Sequence, residues 1–120
     1  MVICDGRLLV TKPWLGNGSW ALPGGGRHHH EAALPGAQRE LREETGIVID
    51  ESDLVNIGEQ LFSSHGLSFT YELFTLELAE QPVIYRQAFE IVATKWFTPE
   101  ELLVERLGSD VRTALRHWPQ

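Results

Sequence analysis

An α/β sandwich is the fold this sequence predicts, on three observations. Apolar runs suited to strands recur at residues 1–4, 7–12, 56–63, 68–78 and 91–97. Two stretches with helical spacing bracket the later strands, one near residues 37–45 and one from residue 109 onward. Gly, Pro, Asn and Ser interrupt the chain between them. At 120 residues the chain fits one domain, expected to span residues 1–120, and can bury a core without disulfides or a structural metal.

The elements follow in order. Asp5-Gly6 lies between two apolar runs and predicts a hairpin turn. Residues 13–19 read as a loop from their breakers, and Trp20 to Leu22 as a short strand entering Pro23-Gly24-Gly25-Gly26, where glycine lets the backbone approach a ligand closely. In the first helix Ala37 and Leu41 are four apart and should face the core, with Gly46 as the stop. Pro35 is tolerated in a first turn, but Gly36 weakens nucleation, so a late start is expected. Within 68–78 the apolar face changes between Leu73 and Phe74, which predicts a bulge or a strand buried on both sides. Residues 81–89 form a connection. Thr98-Pro99-Glu100-Glu101 is a capping box with Pro at the first helical position, and the last helix carries Val111, Leu115 and Trp118 on one stripe.

Ten basic against 17 acidic residues leave a formal net charge of -7, which argues against broad binding to a nucleic-acid backbone. Phosphate ligands stay compatible, because a site that recruits a cation presents positive charge locally. Cys4 is the only cysteine, so no intramolecular disulfide can form; a reducing cytoplasm is the expected compartment and a buried strand position its expected place. No run is long and apolar enough to span a bilayer, so a soluble chain without a membrane partner is expected.

The most specific signal lies between Gly25 and Ile47. Five residues separate Gly25 from Glu31, and seven more precede Arg39-Glu40-Leu41-Arg42-Glu43-Glu44-Thr45-Gly46-Ile47. On a helix Glu40, Glu43 and Glu44 fall at i, i+3 and i+4, with their carboxylates on one face within one turn. Such like charges repel, and a divalent cation is the natural reason to keep them. Oxygen ligands without nearby Cys favour Mg2+ or Mn2+. A lone Glu-Glu pair is ordinarily a solvated face; the joint spacing with Gly25, Glu31, Arg39 and Gly46 speaks against that here.

This pattern resembles the box of the Nudix hydrolase family, MutT-like members included: G-x5-E-x7-R-E-U-x-E-E-x-G-U, with U aliphatic. Leu41 and Ile47 fill the aliphatic positions. Trp20 to Gly26 is similar to the family's lead-in, and Lys95 to Leu102 to its closing strand and helix start. The resemblance implies a Nudix-type α/β/α sandwich with a mixed sheet and a loop-helix-loop catalytic motif. It implies Glu40 and Glu44 as main metal ligands, the Gly24 carbonyl as a further one, and Glu43 as holding a second ion or activating water. Arg39 would orient the box glutamates, and Glu31 would orient Arg39 or complete the metal site. A further acid often precedes the closing strand in this family; Glu90 is the best-placed candidate, an ordinary surface glutamate being the bland alternative. The first strand looks shortened relative to the family.

The resemblance further implies metal-dependent hydrolysis of a nucleoside diphosphate linked to another group, X. A nucleoside triphosphate, ordinary or oxidised, is preferred because the chain is short. The expected partner is therefore a nucleotide-type small molecule, with a homodimer left open. Trp14 could stack on a base or merely anchor its loop. His28-His29-His30 reads first as a solvated loop and second as a phosphate contact, with His28 the candidate. The rival reading is a catalytically inactive nucleotide-binding or regulatory module on the same fold. A third, an isoprenoid diphosphate isomerase, would need Cys chemistry for which Cys4 is poorly placed.

Overall fold

The computed structural model describes residues 1–24, 32–64, 66–85 and 90–119. Among these residues five strands form one mixed sheet. Val2–Cys4 (β1) and Arg7–Pro13 (β2) make the expected hairpin, its turn set by positive φ at Asp5 and Gly6. Val55–Ser64 (β3) and Leu67–Leu78 (β4) form a longer hairpin, and Ile91–Phe97 (β5) closes the sheet in the order β3-β4-β1-β2-β5. All pairings are antiparallel except β1 with β4, which is parallel. Residues 20–22 make only isolated bridges, Thr11 with Ala21 and Trp20 with Leu107, so the short strand expected there is reduced to single contacts.

Among the described residues three α-helices cover the sheet: Ala33–Thr45 (α1), Pro99–Leu102 (α2) and Ser109–Arg116 (α3). The expected late start of α1 is corrected. The first helical hydrogen bond runs from the Gly36 N–H to the Ala32 carbonyl, so Pro35 sits where the helix has no use for its missing N–H, and Gly36 is buried. Packing outweighs the poor helix propensity of that turn. The box in front of α2 forms as read: Thr98 Oγ1 accepts the Glu101 N–H at 3.2 Å, and Glu101 accepts the Thr98 N–H at 2.9 Å.

Alternation along the strands feeds two cores. On one face Ile3, Leu8, Val10, Leu73 and Phe97 pack with Leu102, Val111 and Ala114 of α2 and α3. On the other, Val2, Leu9 and Leu76 pack with Leu41 and Ile47 around α1. Each fully buried aliphatic side chain contributes roughly 1.5–3 kcal/mol, and this two-sided burial makes the α/β/α arrangement. It also settles the pattern in β4: Leu73 serves one core and Leu76 the other, so the strand is buried on both sides over this stretch. The irregular register lies across the hairpin in β3, between Asn56 and Glu59, around Gly58 at φ 105°. Leu115 and Trp118 pack on the α3-side core, as their stripe predicts, and Cys4 is buried in β1.

Candidate active site

The box helix ends in a tight structure. Thr45, fully buried, donates its hydroxyl to the Leu41 carbonyl and accepts the Ile47 N–H at 3.2 Å. Gly46 leaves the helix at φ 79°, its N–H donating to the Arg42 carbonyl at 2.8 Å. The Tyr85 N–H donates to the Thr45 carbonyl at 2.8 Å, and a Cβ on Gly46 would lie 2.9 Å from the Tyr85 carbonyl oxygen. The connection after β4 is thus docked on the C-terminus of α1.

Upstream of that stop, α1 presents its acids as the spacing predicts. Arg39 lies between two of them, with Nη2 2.9 Å from Glu40 Oε1 and Nη1 2.8 Å from Glu43 Oε2. Glu44 points inward and is only 5% exposed. Its carboxylate accepts the backbone N–H of Gly24, which has φ 120°. Burial pushes the Glu44 pKa up to about 8; the Gly24 hydrogen bond opposes this, while the charges of Glu40, Glu90 and Glu43 add to it. Burial also raises Glu40, against the pull of Arg39, and Glu43 and Glu90 push the same way. Glu90 is therefore within electrostatic reach of both Glu40 and Glu44, although it precedes β5 and is 46 residues from Glu44 in the chain. Its carbonyl accepts the Trp14 N–H, which extends the β2–β5 ladder to the site.

Arg39 thus joins Glu40 and Glu43, Gly24 holds Glu44, and the charge of Glu90 acts on Glu40 and Glu44. Trp14 is joined to this group only through its backbone: its side chain is 68% exposed and does not line the cleft described below. Gly25, His28, His29, His30 and Glu31 lie outside the described residues. Cys4 lies on β1 and does not line the cleft, so the geometry offers nothing to the isomerase reading.

A cleft of about 990 Å³ opens beside α1, lined by Gly24 and Glu40 near the box and by Glu59, Glu72 and Phe74 on the long hairpin. Asp110, at the start of α3, reaches it too, a residue that no motif of the sequence singles out. Its Oδ2 accepts the Leu22 N–H at 2.9 Å and its Oδ1 the Val111 N–H at 2.8 Å. Burial raises its pKa, against these hydrogen bonds and the Met1 amino group. A smaller depression of about 640 Å³, lined by Arg106 and Arg112, contains none of the described box residues.

Among the described residues no three His, Cys, Asp or Glu side chains converge as a metal-holding group, and Glu40 and Glu43 are each ion-paired to Arg39. The donor chemistry nonetheless fits a hard divalent cation. All candidate ligands are oxygens, each carboxylate has acceptor capacity beyond one bond, and the buried Glu44 is crowded by like charge.

With this geometry in hand, comparison with known proteins defines the class. The NUDIX domain family matches residues 1–118, and the chain belongs to the Nudix family. A "MutT-like protein" from Streptomyces ambofaciens is 32% identical over 100 residues, 82% of this chain; the match spans 59% of that relative's length. A MutT NUDIX hydrolase from Burkholderia pseudomallei has the same fold, with TM-score 0.80, 23% identity, and coverage of 98% of this chain and 97% of the other. The NUDIX domain of Shewanella oneidensis NrtR, crystallised with ADP ribose, superposes with TM-score 0.76 at 17% identity, covering 97% and 84%. No helix among the described residues is long and apolar enough to cross a membrane.

Proposed function

We propose that this chain hydrolyses a diphosphate linkage in a nucleoside diphosphate joined to another group, using Mg2+ or Mn2+, with ordinary or oxidised nucleoside triphosphates as preferred substrates. The observation that carries this reading is the buried carboxylate of Glu44, fastened to Gly24 and within electrostatic reach of Glu40, Glu90 and Glu43, beside a cleft of about 990 Å³ that Gly24 and Glu40 line. A structural helix gains nothing from burying an acid among acids; a cation site does.

Glu40 and Glu44, with the Gly24 carbonyl, would hold the ion, and Glu43 would hold a second ion or accept a proton from water. When bound, the ion would neutralise charge on the phosphate oxygens and acidify water. The chain's own work is positional. Arg39 spans Glu40 and Glu43 and ties the two carboxylates together. The Gly24 N–H fixes the Glu44 carboxylate, leaving its remaining acceptor capacity for an ion. Glu90, exposed and within electrostatic reach of both Glu40 and Glu44, would accept a proton from attacking water. ADP ribose bound to the Shewanella domain supports a nucleotide-type ligand.

The test is phosphate and nucleotide release across nucleoside triphosphates, oxidised nucleoside triphosphates, ADP-ribose, sugar nucleotides and dinucleoside polyphosphates, each with and without Mg2+ or Mn2+. Metal-dependent release identifies the substrate. No release from any compound, with nucleotide still bound, supports the non-catalytic module instead.

A further inference from the structure

The strand register puts two carboxylates opposite each other on the cleft wall. Glu59 of β3 pairs with Glu72 of β4, and the next pair toward the sheet centre is Asn56 with Phe74. Leu76 belongs to the core beneath α1, so Phe74 and Glu72, two and four residues earlier on β4, face the same side. Direct cross-strand partners share a face, so Glu59 faces the box helix as well. Both line the cleft. Like charges directly opposed disfavour strand pairing, so the hairpin gains no stability from this arrangement.

The composition of the cleft is one-sided. Its described lining carries four carboxylates, Glu40, Glu59, Glu72 and Asp110, and neither a Lys nor an Arg. Glu40 is accounted for by the box, and Asp110 spends both oxygens on the Leu22 and Val111 amides. Glu59 and Glu72 remain as the charges that face whatever extends from the diphosphate.

We propose that Glu59 and Glu72 make the cleft a charge filter: the group resting against the hairpin is an uncharged hydrogen-bond donor or a cation, and substrates bearing a second anionic group remote from the diphosphate are rejected. The proposal rests on reading this cleft as the substrate site. A carboxylate can only accept hydrogen bonds, so the amino and ring N–H groups of a nucleobase, or the hydroxyls of a sugar, complement it. A phosphate resting against the hairpin would meet like charge inside the roughly 8 Å over which physiological salt screens. Selectivity of this kind comes from repulsion built against the wrong ligand.

The test compares matched pairs that differ by one remote phosphate: ADP-ribose with its 2′-phosphate, dephospho-coenzyme A with coenzyme A, and a nucleoside triphosphate with its 3′-phosphate. In the wild-type chain kcat/KM should be at least about tenfold lower for the more anionic member, with the gap narrowing as salt rises. The double substitution Glu59→Lys and Glu72→Lys should shrink the ratio to less than about threefold, and Glu59→Gln with Glu72→Gln should fall between. Both positions are exposed, and the Gln pair and the salt series keep the test readable should the Lys pair fold poorly. A ratio unchanged in the Gln pair and insensitive to salt overturns the filter while leaving hydrolysis standing. Should no compound be turned over, the same ratio is read from dissociation constants measured by calorimetry with Mg2+. A tenfold difference abolished by the substitutions then supports the filter in a non-catalytic site. Equal constants, or no binding, overturn it.

Discussion

The backbone N–H of Gly24 donates to the carboxylate of Glu44 and so joins the glycine-rich lead-in to the buried face of the box helix. The bond holds an acid in a place where burial alone would expel its charge, and it aligns the two segments from which the metal ligands are proposed to come.

Arg39 bridges two of the three box acids, and its planar fork makes both contacts at once. Arg39→Lys should lower kcat/KM about 10–100-fold without unfolding the chain, because a single ammonium cannot hold Glu40 and Glu43 together. Steady-state kinetics and circular dichroism check this; wild-type kinetics in the Lys variant would remove Arg39 from the positioning role.

Glu90 precedes β5, where its carbonyl accepts the Trp14 N–H, and its charge acts on Glu40 and Glu44. Glu90→Gln should lower kcat by at least about tenfold with a smaller effect on KM, the pattern of a lost proton acceptor. Turnover equal to wild type would make Glu90 an ordinary surface residue.

The docking of Tyr85 on Gly46 yields a stability prediction. An added Cβ would sit 2.9 Å from the Tyr85 carbonyl oxygen, on a residue already at φ 79°. Gly46→Ala should therefore cost about 1–3 kcal/mol. Chemical denaturation measures it, and a midpoint unchanged from wild type would show that the docking is loose.

Asp110 supplies a pH dependence. Its folded pKa is raised by burial above the unfolded value, so between those two values the folded state holds more protons than the unfolded one. Stability from this group is accordingly full below the unfolded Asp pKa, near 3.9, and falls as pH rises through the folded value. Asp110→Asn should flatten that slope while losing an acceptor for one of the two amides. Thermal unfolding from pH 3.5 to 7 tests it: a slope identical in both proteins would contradict the assignment.

How far the sequence foretells the site depends on the range of the interaction. The box helix, the Asp5-Gly6 hairpin and the Thr98 capping box depend on contacts within a few residues and were legible from spacing alone. The start of α1 at Ala33 was not, because Pro35 and Gly36 oppose a helix locally and tertiary packing overrides them. The facing pair Glu59 and Glu72 depends on the irregular register near Gly58, and Asp110 meets Leu22 across 88 residues. Periodicity carries neither. Glu90 was reached by resemblance to a family pattern, and the structure puts its charge near Glu40 and Glu44.

The most direct test of the central claim is turnover as a function of Mg2+ or Mn2+ for the wild-type chain and Glu44→Gln, on the substrate that the release panel selects. Saturable metal dependence in the wild type and a kcat about 100-fold lower in the variant, with its fold intact, are the predicted results. Turnover without added metal in the presence of chelator, or a variant as active as wild type, would contradict the account.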